Sequence, residues 1–127
     1  MKNLAFLILF VSLNSIAAPS KLDASKWLKD FRSAREKTTD ALFLNDAVKR
    51  SKHTQTILAL RDRSHKIFPQ TSECIAASEA LFNMWSNEIE LVTNQSQPNL
   101  SATGLSHMAW EGGQNYYICR ETVDSMK

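Results

Sequence analysis

Two apolar seams, each carrying one cysteine, constrain the fold of this chain more than any other feature. Cys74, Ala77, Leu81, Trp85, Ile89 and Val92 recur at steps of three and four, interrupted on that face only by Ser78 and Glu88. Leu105, Ala109, Gly112, Tyr116, Cys119, Val123 and Met126 repeat the pattern further on. Such steps keep side chains on one stripe of an α-helix. Between the seams, Thr93 to Asn99 is polar and contains Pro98, the composition of a turn. The spacing therefore predicts an antiparallel helical hairpin.

The cysteines fit that hairpin independently. Residues that face each other across it are equally far from the turn. The midpoint of Cys74 and Cys119 falls between Ser96 and Gln97, inside the predicted turn. A Cys74–Cys119 disulfide is expected, and the same register sets Leu81 opposite Gly112 and Trp85 opposite Met108. Because the second seam runs through Gly112-Gly113, one helix is expected from about Leu100 to Ser125. Two glycines inside it cost roughly 1 kcal/mol each against alanine. Close approach of a neighbouring helix is the expected compensation.

A disulfide requires an oxidising compartment, and the N-terminus points to one. Lys2 precedes an apolar run from Leu4 to Leu13, and Ser15-Ile16-Ala17 offers the small residues that a signal peptidase reads. Cleavage is expected after Ala17, because a cut after Ala18 would place Pro19 next to it. Residues 1–17 thus read as a cleaved signal peptide and residues 18–127 as one helical domain, periplasmic or secreted. The apolar run is about half of the roughly 20 residues that span a bilayer, which argues against an uncleaved anchor, and no later segment approaches that length, so no membrane insertion is expected after cleavage. Asn94-Gln95-Ser96 and Asn99-Leu100-Ser101 match the N-glycosylation pattern, both in the predicted turn.

Ahead of the hairpin, Asp23 or Ser25 is a candidate cap for a first helix bearing Trp27, Leu28, Phe31 and Ala34 and running to about Thr38. A second helical stretch starts near Thr39 or Asp40 with Leu42, Phe43, Leu44, Ala47 and Val48. Lys49 to Gln55 is polar all round and reads as a loop or as the exposed middle of a long helix. Ile57, Leu58 and Leu60 resume the pattern, and Pro69 stops it at Phe68. Thr71 or Ser72 is placed to cap the first hairpin helix, with Glu73 in its first turn. The fold class expected is all-α: a small bundle of about four helices whose C-terminal hairpin is locked by one disulfide.

Charge is segregated. The whole chain has a formal net charge of only +2. Residues 18–66 nevertheless hold twelve Lys or Arg against six Asp or Glu, and residues 67–127 hold two against seven. Lys49, Arg50, Lys52, Arg61 and Arg63 concentrate the excess, with few acids nearby in sequence. They form the candidate surface for a protein partner of acidic character. No aromatic is interleaved for stacking on bases, so no nucleic acid is expected.

Chemistry is sparse. His53, His65 and His107 lack the spacing of a metal-ligand motif and read as surface or boundary residues; no metal and no cofactor is expected. The disulfide removes both thiols from nucleophilic use. Glu88 and Glu90 point to different sides of a helix, and nothing selects a pair among Glu73, Glu79, Glu88 and Glu111 for the two-carboxylate chemistry of a glycosidase. The expected function is non-enzymatic protein binding outside the cytoplasm, as by an immunity or inhibitor protein or an accessory component of a secretion or conjugation system. The alternatives are a cell-wall enzyme with a dispersed acidic site and a periplasmic chaperone.

Overall fold

The computed structural model describes residues 20–93 and 102–127, with the backbone alone for Ala41 and for residues 102–112. The expected signal peptide, the turn and both sequons lie outside the described residues. So do the side chain of Met108 and the surroundings of Gly112, and with them the two facing pairs. Among the described residues there are five helices and no strand: α1 Lys21–Thr38, α2 Ala41–Asn45, α3 Ala47–Ile67, α4 Glu73–Thr93 and α5 Ala102–Asp124. The all-α bundle stands, with one short helix added. The α4–α5 hairpin forms its most extensive interface; α3 packs on α4, and α1 lies across α3 and α5.

The hairpin has the expected register at its open end. Cys74 and Cys119 are joined, with Cα atoms 4.7 Å apart, and both are fully buried. Around them Ala77, Leu81 and Trp85 from α4 and Tyr116 and Val123 from α5 are also buried. Ser72 is the cap, its Oγ accepting from the Cys74 N–H at 3.1 Å. The helix does run unbroken through Gly112-Gly113. A Cβ on Gly113 would come no closer than 3.4 Å to a neighbour, the Nη2 of Arg35 on α1. The neighbour is therefore the end of a flexible side chain rather than a closely approaching helix backbone.

The N-terminal boundaries differ from expectation by local capping. Ser20 caps α1, accepting from the Asp23 N–H at 3.1 Å, so the helix starts a turn before Asp23 and Ser25 are reached as caps. The stretch from Thr39 is two helices. Asp40 caps α2 through the Leu42 N–H, and Asp46 caps α3 through the Val48 and Lys49 N–H groups. Those bonds, that from Lys49 foremost, hold the Asp46 carboxyl below its ordinary pKa. Lys49 to Gln55 is then helix from its first residue, neither loop nor wholly exposed, because His53 turns inward with only 3% of its surface accessible. α3 ends at Phe68, which is extended ahead of Pro69.

Two aromatic files fill the core. Trp27 stacks on Phe31 at 5.1 Å and meets the ring of Phe68 edge-on at 5.1 Å; Phe31 in turn stacks on Tyr116 at 5.7 Å. His53 lies between Phe43 and Trp85, with ring centroids 5.6 and 4.7 Å away and the Trp85 ring perpendicular to the imidazole. Both indoles donate to α3: Trp27 Nε1 to the Leu60 carbonyl at 2.9 Å and Trp85 Nε1 to Thr54 Oγ1 at 2.8 Å. A buried tryptophan needs such an acceptor, and here that need pins α1 and α4 to the same helix. Ser78, one of the two polar breaks in the first seam, is matched by Ser64 of α3 with the hydroxyl oxygens 2.9 Å apart.

Candidate functional site

All five basic residues singled out in the sequence lie on α3, but they do not share a face. Residues two apart on a helix point about 200° apart. Accordingly Arg63 turns to α1, where its Nη1 bonds Asp30 Oδ2 at 2.9 Å. Arg61 turns to α4, with its guanidinium 4.2 Å over the Phe82 ring and Nη1 3.9 Å from Glu79 Oε2. Arg50 donates to the Leu44 carbonyl at 2.8 Å, at the end of α2. Lys49 lies 6.0 Å from the Phe43 ring centroid. Lys52 is exposed and lines a groove between α1 and α3.

That groove encloses about 480 Å³. Its charged lining is Lys37 from α1, Lys52 and Arg63 from α3, and Asp30, whose carboxylate is already bonded to Arg63. Phe43 and His53 form its apolar end. His53 is held below its ordinary pKa of 6.5, chiefly by burial and secondly by the positive charge of Lys37. The imidazole therefore adds no charge to the floor at neutral pH. The positive character of the groove comes from the exposed ammonium groups of Lys37 and Lys52, neither of which has an ion pair within 4.0 Å among the described residues.

Lys37 carries no signal that sequence reading used. It lies in α1, outside the local run of basic residues, and only the crossing of α1 on α3 brings it beside Lys52. Conversely, the partners of Arg61 and Arg63 are distant in sequence, so counting nearby acids does not find them.

The carboxylates of Glu73, Glu79 and Glu88 do not converge. Glu79 is engaged by Arg61 and by His65 Nε2 at 3.1 Å. Glu88 is nine residues along the same helix, about 13.5 Å away, and Glu73 is in the first turn. The side chain of Glu111 lies outside the described residues. Glu88 itself is unusual. Its Oε2 is buried without a hydrogen-bond partner among the described residues, and burial pushes the carboxyl from 4.5 up to about 7. It lines a cleft of about 280 Å³ with Thr38, Asp40, Leu44 and Leu91. Among the described residues no group of three or more His, Cys, Asp or Glu side chains is placed to hold a metal ion, and no helix is long and apolar enough to cross a membrane.

No protein-family model matches the chain, and neither a curated protein nor a solved structure does. A helical bundle by itself implies no activity, so function has to be read from the side chains it positions.

Proposed function

We propose that this is a small exported, non-enzymatic protein that binds the acidic surface of another protein, and that the basic α1–α3 groove is the contact. The observation that carries the reading is the pair of exposed lysines, Lys37 and Lys52, on a groove whose one carboxylate is already taken by Arg63. An acidic side chain entering the groove gains two ammonium partners and displaces no internal ion pair. The disulfide is compatible with an extracellular or periplasmic location, which fits an immunity or inhibitor protein or an accessory component of a secretion or conjugation system.

Charge reversal at two places tests it. Lys37→Glu with Lys52→Glu is expected to slow association with a partner co-purified from the envelope fraction and to reduce its salt dependence, since exposed charges act mainly on association rate. The melting temperature should change little. Arg61→Glu with Arg63→Glu should instead lower stability, by about 1 kcal/mol or less for each exposed pair lost. An association rate unchanged by the lysine reversals at low salt sinks the proposal.

One observation favours the enzymatic alternative. A carboxyl near pKa 7 is suited to act as a general acid, and Glu88 shares its cleft with Asp40. Asp40, however, is committed to the Leu42 N–H as a cap. Muropeptide release by the wild-type protein that is lost in Glu88→Gln would establish this reading over the binding one.

A further inference from the structure

The cleft between α1 and α5 has a different chemistry, explained neither by the seams nor by the α1–α3 groove. It encloses about 370 Å³ and is lined by Arg32, Arg35 and Glu36 from α1 and by Tyr116, Tyr117 and Arg120 from α5. The guanidinium of Arg35 lies 5.0 Å from the Tyr116 ring centroid, and that of Arg120 lies 5.2 Å from the Tyr117 centroid. Arg32 Nε donates to the Tyr116 hydroxyl at 3.0 Å. None of the three has a carboxylate within 4.0 Å among the described residues.

These contacts restrain each arginine without using up its donors. Contact with a ring engages the face of a guanidinium and leaves its N–H edge for an oxygen ligand. Arg32 spends only Nε and keeps both terminal nitrogens. Three guanidiniums stand against one lining carboxylate, Glu36, with Asp124 of α5 also within electrostatic reach of Arg32, so the cleft keeps a net positive charge that favours an anion. A carboxylate is satisfied by one planar fork. Forks arriving from two helices instead suit a tetrahedral group with three terminal oxygens. The half-exposed ring of Tyr117 adds a surface on which an aromatic ester can stack.

We propose that the α1–α5 cleft is a binding site for a phosphate monoester, free or as a lipid headgroup. This inference does not rest on the partner reading above.

Titration calorimetry of the purified protein with phenyl phosphate tests it, with benzoate at matched ionic strength as the carboxylate control. Saturable one-to-one binding is expected, competed by inorganic phosphate. Arg120→Gln, which alters an exposed contact with Tyr117, should weaken it about tenfold or more, the loss that follows removal of a charge-assisted hydrogen bond. Lys66→Gln, an equal charge change at an exposed position on α3, should leave it within about twofold. Sedimentation with phosphatidylcholine vesicles, with and without phosphatidic acid, separates the sources. Binding to phosphatidic acid vesicles that Arg120→Gln abolishes assigns a lipid headgroup; binding of the soluble ester alone assigns a free ligand. The proposal is overturned if neither probe binds, if benzoate binds as well as phenyl phosphate, or if Lys66→Gln weakens binding as much as Arg120→Gln.

Discussion

His53 donates a hydrogen bond from Nε2 to the Thr38 hydroxyl, with the two atoms 2.9 Å apart. The direction follows from the third partner. Thr38 Oγ1 also lies 2.8 Å from the Ala34 carbonyl, which can only accept, so the single hydroxyl proton goes there. The imidazole must then supply the other proton, which selects the neutral Nε2–H tautomer. The bond ties the end of α1 to the first half of α3, next to the groove.

The buried imidazole makes stability depend on pH. Its folded pKa lies below 6.5, so below that value the unfolded chain takes up a proton that the folded chain refuses. The unfolded state then binds more protons, and stability rises with pH through this window. The melting temperature should fall as pH drops below about 6.5. His53→Gln keeps an N–H donor but does not titrate, and should flatten that fall. Calorimetric scans at several pH values check it.

Glu88 acts in the opposite sense. Its folded pKa of about 7 exceeds the ordinary 4.5, so the folded state holds the extra proton between those values. The associated stability is complete below 4.5 and is lost as pH rises through 7. Glu88→Gln should therefore be more stable than wild type at pH 8, by about 2 kcal/mol once the roughly 3 kcal/mol implied by the shift is discounted for the partial exposure of the carboxyl. Near pH 4 it should differ little. Equal effects of the substitution at both ends would contradict a proton held on Glu88.

The Cys74–Cys119 bond closes a sequence separation of 45 residues. Chain entropy gives such a loop about 4 kcal/mol of stabilisation. Cys74→Ser and Cys119→Ser should each lose most of that, and the double variant should lose little more, since one bond is removed in all three. Urea titrations compare them, and reductant should lower the wild-type midpoint to match.

Gly113→Ala should raise stability by up to about 1 kcal/mol through helix propensity. The added Cβ meets Arg35 Nη2 at 3.4 Å, an end that can move aside. A loss of stability would mean that the Arg35–Tyr116 contact is too tightly held to adjust.

The amino-acid pattern alone was enough for the helical class, the end of α3 at Pro69, a cap at Thr71 or Ser72, which the backbone bond assigns to Ser72, and the Cys74–Cys119 pairing. Each depends on local sterics or on a periodicity that repeats along the chain. The break at Asp46 was local too, but the apolar run on both sides of it masks a cap that only the observed backbone bonds reveal. What depends on the crossing of helices was not legible. Lys49 to Gln55 is polar in composition, yet His53 is buried because α1 and α4 supply Thr38 and Trp85 on either side. Arg61 and Arg63, neighbours in sequence, are drawn to different helices, while Lys37 and Lys52 are brought to one groove. Side-chain charge is written in the sequence; which charges are neutralised and which face water is set by the partners that tertiary packing brings within a few ångströms.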